Sequence, residues 1–170
     1  MKYIKKMTGK INKILILLVL LLVSVKSNAQ ISKAEIRVTG LTCSMCSNAV
    51  NKKLKSLVEV ETVNIDLNTN TFIVILKKNN TVSPLIFKES IEKAGFFIGS
   101  LVLTTTTETI SKKQYVKVDY TKSSSHIIQI QILDKGYVTN KEFKKILKSL
   151  KNIVSYSLNN ENDFHFKIIN

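Results

Sequence analysis

The sequence predicts an α+β fold whose first half is a four-stranded antiparallel sheet covered on one face by two helices. Two observations carry this reading. Short stretches with alternating apolar positions mark strands, and two segments with apolar positions at helical spacing lie between them. The elements follow one another as β-α-β-β-α-β over residues 31–103, which is the split-βαβ, ferredoxin-like sandwich plan.

Each element has its own signal. Glu35–Thr39 alternates as a half-buried strand. A turn holding the only two cysteines of the chain, Cys43 and Cys46, follows it. Cys46, Ala49, Val50, Leu54, Leu57 and Val58 then recur at helical spacing, with Lys52, Lys53 and Lys55 on the outer face. Val60–Leu67 alternates with Val63, Ile65 and Leu67 on one side, turns at Asn68-Thr69-Asn70, and returns as the β-branched strand Thr71–Leu76. Ser83 suits an N-cap, and Pro84 suits the first helical position, where a missing N–H costs nothing. Phe87, Ile91 and Ala94 line that helix, Gly95 stops it, and Phe96–Leu103 makes the last strand.

Residues 104–114, a threonine run and a polar stretch, read as a linker, although β-branched threonines also suit a longer last strand. Residues 115–170 read as a second, smaller α+β unit. Tyr115–Tyr120 and Ile127–Leu133 alternate as strands. Thr139-Asn140-Lys141-Glu142 is a capping-box start for a helix with Phe143, Ile146, Leu147 and Leu150 inward. Val154–Leu158 and Phe164–Ile169 read as a closing hairpin around Asn159–Asp163. Ile36–Leu76 and Ile128–Ile168 share an element order and length, so the second unit reads as a degenerate repeat without cysteines. Asp134-Lys135-Gly136-Tyr137 stands where the first copy has its cysteines, and Tyr115–Tyr120 stands ready as the missing edge strand.

Residues 1–29 have the anatomy of a secretory signal peptide. A lysine-rich leader precedes the apolar run Ile14–Val23, and Ser27-Asn28-Ala29 offers a small-x-small cleavage site before Gln30. A retained signal anchor is the other reading. Cleavage leaves no stable membrane span and implies a secreted or periplasmic protein. Loss of the six lysines in this segment takes the formal net charge from +14 to +8. The remaining lysines are spread over both halves and only one arginine, Arg37, is present, which speaks against nucleic acid as a partner. An anionic membrane surface or an acidic protein fits that charge better.

Gly40-Leu41-Thr42-Cys43-Ser44-Met45-Cys46 carries the chemistry. Two thiolates on one turn can approach one ion from opposite sides, and soft sulfur selects ions such as Cu(I) or Hg(II) over hard ones. A helix start favours the thiolate of Cys46. Zn(II) or Cd(II) would need further ligands that the loop does not offer. The same spacing also serves dithiol redox chemistry, the rival class.

That loop, the Val63-Asn64-Ile65-Asp66-Leu67 strand and Ile91-Glu92-Lys93-Ala94-Gly95-Phe96 resemble the heavy-metal-associated domain family over residues 33–103. This family includes copper chaperones, N-terminal domains of copper-transporting ATPases and the periplasmic mercury-binding protein. Leu41 replaces the family's methionine, a near volume-conserving change. The resemblance implies Cys43 and Cys46 as ligands, Thr42 as a residue that shapes the loop, and Leu41 and Phe96 as residues packed against it. It also implies that Lys52, Lys53 and Lys55 could dock an acidic partner, namely a metal-transporting ATPase or another thiol-bearing acceptor. Met45 reads as a solvent-facing filler, and His126 and His165 as ordinary histidines. The expected function is that of a Cu(I) carrier, chaperone or scavenger without catalytic turnover, with a mercury carrier as alternative. A dithiol redox protein, or a partner-binding module with a vestigial metal loop, represents the other classes. A redox enzyme of the thioredoxin type would need a cis-proline facing the motif, whereas the one proline here, Pro84, sits at a helix start. In an oxidising compartment the pair could close as a disulfide, so binding requires a reductant.

Overall fold

The computed structural model describes residues 30–112, 114–119, 121, 123, 125–150, 152–158 and 163–169. The expected signal peptide and most of the Asn159–Asp163 turn lie outside the described residues. The first half follows the predicted order. β1 (Ile31–Thr39) leads to α1 (Ser44–Lys55), then β2 (Val60–Asp66), β3 (Thr71–Leu76), α2 (Pro84–Lys93) and β4 (Phe97–Thr106). After it come α3 (Thr107–Ile110), β5 (Tyr115–Lys117), β6 (Ile127–Ile132), α4 (Asn140–Ser149), α5 (Val154–Leu158) and β7 (Phe164–Ile168). No described helix is long and apolar enough to cross a membrane.

All strands join one seven-stranded sheet in the order β2-β3-β1-β4-β6-β7-β5. The first four strands are the ferredoxin-like sheet, antiparallel throughout, with α1 packed on α2 and on β2, and α2 on β4. β6 then pairs antiparallel with β4 and carries the sheet into the second half. Facing residues at this seam, Leu101 with Ile132 and Leu103 with Ile130, are fully buried, so one apolar core runs through both halves.

The local signals explain most of the element ends. Ser83 accepts the Leu85 backbone N–H at the start of α2, and Thr139 accepts that of Glu142 at the start of α4. Gly95 takes φ 86°, the left-handed conformation that ends a helix at little cost. Asp66 accepts the Asn68 N–H and the Thr69 hydroxyl and so shapes the β2–β3 turn, with the hydroxyl as the main cause of its lowered pKa.

Several expectations are corrected. Thr104–Thr106, read as the start of a linker, are the end of β4. Thr105 is buried, its hydroxyl donates to the Gln30 carbonyl, and it pairs with Ile128. The buried stripe of α1 is Ser47, Val50 and Leu54, whereas Ala49 and Val58 are exposed, as is Leu67 after β2. Val154–Leu158, read as a strand, is the helix α5. The repeat is therefore partial. β6 and β7 pair antiparallel as β1 and β3 do, but a helix replaces the counterpart of β2. β5, from the segment read as the missing edge strand, does form the edge, pairing parallel with β7.

Candidate metal centre

The thiol turn is built by the end of β1 and the start of α1. Gly40 has φ 88°, so the chain turns there in a conformation that costs other residues about 1–2 kcal/mol. A Cβ placed on Gly40 would stand 3.8 Å from Cδ1 of Phe96, so the half-buried Phe96 ring lies against the opening of the loop. Leu41 is partly buried and packs on the core below, while Thr42 is exposed. Each expected supporting residue thus lies in or against the loop. The element positions that achieve this are the β1–α1 turn and the Gly95-Phe96 link from α2 to β4.

Cys43 is the N-cap of α1, in an extended conformation (φ −152°, ψ 164°) and exposed. Its carbonyl accepts the N–H groups of Cys46 and Ser47, which starts the helix and places Cys46 in its first turn. The two Sγ atoms are 2.9 Å apart, and neither is in a disulfide. The Cys46 thiol is held below its ordinary pKa. The neighbouring Cys43 sulfur is the main cause and the Thr42 backbone the next; partial burial opposes them, and the Cys43 backbone and Thr42 side chain add less. The pair is therefore accessible, and Cys46 is biased toward thiolate, the form that binds metal and attacks disulfides.

Other residues are placed differently from the loop. Met45 is 79 % exposed, in keeping with a solvent-facing filler. Lys52, Lys53 and Lys55 occupy the last turn of α1, about 9–14 Å beyond Cys46 along the helix axis at about 1.5 Å per residue. They are exposed at the far end of the helix from the thiols, and they favourably face its negative pole. His126 pairs with Glu108 at 3.4 Å on the surface. His165 is fully buried, with Asp134 and Ser155 as partners; sequence reasoning passed over this cluster because its members are 10 and 31 residues from the histidine. No group of three or more His, Cys, Asp and Glu side chains comes together as a metal cage among the described residues.

The heavy-metal-associated domain model matches residues 35–97. Among solved structures, the yeast copper transporter domain Ccc2a, studied in apo and Cu(I)-loaded states, shares 36% identity over 39% of this chain and 90% of its own, with a TM-score of 0.36. The N-terminal domain of a potential copper-translocating P-type ATPase from Bacillus subtilis shares 28% identity over 39% of this chain and 82% of its own, with a TM-score of 0.35. No curated protein sequence matches the chain. The matched segment starts inside β1, runs through the thiol turn and ends at the first residue of β4, next to the aromatic that covers the loop. The family is that of the heavy-metal-associated domains, and in this chain it occupies residues 35–97.

Proposed function

We propose that the protein binds a soft metal ion, Cu(I) before Hg(II), between the thiolates of Cys43 and Cys46, and carries or scavenges it outside the cytoplasm. The observation that carries this reading is the pair of sulfurs 2.9 Å apart on one exposed turn. With metal–sulfur bonds near the zinc–thiolate length of about 2.3 Å, a linear sulfur–metal–sulfur unit spans about 4.6 Å. The sulfurs would need to part by about 1.7 Å, a change within reach of side-chain rotation at the exposed, non-helical Cys43. A two-coordinate ion on such a turn stays open to attack by a third thiol, so the metal can leave by ligand exchange. Gly40, Leu41, Thr42 and Phe96 would hold the turn in shape. A metal-transporting ATPase, or another acceptor bearing thiols, is the matching partner class. The lysines of the last turn of α1 would meet an acidic partner only if its contact extends along the whole helix.

The test is competition between the reduced protein and a colorimetric Cu(I) chelator, with Cys43→Ser, Cys46→Ser and the double substitution as controls. Wild-type protein should withdraw copper from the chelator and the double variant should not. Equal behaviour of the two would sink the metal reading. Stoichiometric disulfide exchange with a reduced substrate protein, without copper retention, would put the dithiol redox reading in its place.

A further inference from the structure

A second chemical cluster lies in the cysteine-free half. Asp134 lies two residues past the end of β6, in the β6–α4 turn, the counterpart of the turn that holds the thiols in the first half. β7 lies beside β6 in the sheet, and His165 on it is fully buried. Nδ1 of His165 is 2.7 Å from Asp134 Oδ1, and the His165 backbone N–H donates to Asp134 Oδ2 at 2.6 Å. The other ring nitrogen, Nε2, is 2.9 Å from Oγ of Ser155 on α5. Tyr156 stands edge-on to the imidazole with ring centroids 5.1 Å apart, and its hydroxyl donates to the Leu133 carbonyl, which holds α5 over the ring.

This arrangement assigns roles. A carboxylate accepts and does not donate, so the proton between Asp134 and His165 belongs to Nδ1, and in the neutral ring Nε2 then turns its lone pair to the Ser155 hydroxyl. Nucleophile, base and orienting carboxylate in that sequence of atoms are recognised by geometry on unrelated folds. Ser155 is the half-buried member of the three, whereas His165 and Asp134 are buried. Beside it on α5, Val154 and Leu158 are 68 % and 73 % exposed, an apolar surface for a substrate to lie on.

We propose that Ser155 is the nucleophile, His165 the general base and Asp134 the positioning residue of a second site, one that hydrolyses carboxylic esters with small apolar acyl groups. Oγ bonds to the carbonyl carbon as its proton passes to Nε2. The bond from that carbon to the alcohol oxygen breaks, and the departing alcohol takes the proton. Water then adds to the acyl carbon and gives a proton to Nε2; the Oγ–carbon bond breaks and the proton returns to Oγ. Water is the only co-reactant. The site is independent of the metal reading.

The test uses the full chain with a fluorophosphonate probe, followed by peptide mass mapping, and p-nitrophenyl acetate as ester. One probe per chain is expected, on Ser155, with a rate about 10²–10⁴-fold above that of the chain's other serines. Ser155→Ala should remove both the label and the part of ester hydrolysis that depends on this site. Asp134→Asn, which reverses the hydrogen bond to Nδ1, should slow labelling at least tenfold, with the circular dichroism spectrum confirming a folded chain. Absence of label on Ser155 in the folded wild type, or label spread evenly over its serines, would overturn the proposal. Loss of stability in Ser155→Ala without any wild-type labelling would show that the cluster only pins α5 to the sheet.

Discussion

Cys46 shows how one side chain acquires chemistry from its neighbours. Its thiol is held low mainly by the Cys43 sulfur, so Cys43→Ala should move the midpoint of Cys46 alkylation by iodoacetamide to higher pH. An unchanged midpoint would leave the Thr42 contacts as the dominant cause. Gly40 acts through its backbone instead. The space at its Cβ is open, with Phe96 at ordinary contact distance, so Gly40→Ala should cost about 1–2 kcal/mol from the left-handed φ alone, measured by denaturant unfolding. The cysteines and Gly40 were legible in the sequence because they belong to one local spacing, and Phe96 because that stretch resembles the family. Ser155, His165 and Asp134 were not, since only the pairing of β6 with β7 and the placing of α5 bring them together.

The elements differ in how openly the sequence declares them. α2 carries its own start and stop at Ser83-Pro84 and Gly95, and both work as read. α5 deceives because Val154, Tyr156 and Leu158 alternate. A strand would put all three on one face, yet Tyr156 is buried while Val154 and Leu158 are exposed, the separation that a helical period gives. The hydrogen bond from the Tyr156 hydroxyl to the Leu133 carbonyl is a tertiary contact with no local signature. β5 is a three-residue edge held by Tyr115, whose ring packs on Phe164 and Phe166. Burial pushes the Tyr115 pKa up to about 12, with a smaller opposing contribution from the Gln114 side chain. Its folded value lies above the unfolded one, so the stability tied to its protonated form is fully present below about pH 10. That stability is lost as pH rises through about 12. Absorbance at 295 nm should show two tyrosines titrating late, Tyr115 and the still more strongly raised Tyr156, together with loss of structure by circular dichroism, and Tyr115→Phe should remove the earlier of these two late steps. A Tyr115 that titrates at the ordinary tyrosine value of about 10 would contradict the packing of β5.

The whole molecule is one sheet with two kinds of half. The β4–β6 seam makes them cooperative, because Leu101, Leu103, Ile130 and Ile132 are buried on both sides of it. Ile130→Ala should cost about 2–5 kcal/mol and leave a single unfolding transition in calorimetry. Two separate transitions would show that the halves fold independently. This joining was only half-visible in the sequence. The threonine run that extends β4 to its partner has the composition of either a strand or a linker, and the choice is made by β6, some twenty residues downstream.

Metal binding by Cys43 and Cys46 is the claim on which the reading of the molecule turns. Native mass spectrometry of the reduced protein after addition of Cu(I) tests it most directly. One copper ion per chain is expected, with loss of the two thiol protons, and none on the Cys43→Ser, Cys46→Ser double variant. The same copper content on wild type and double variant would contradict it.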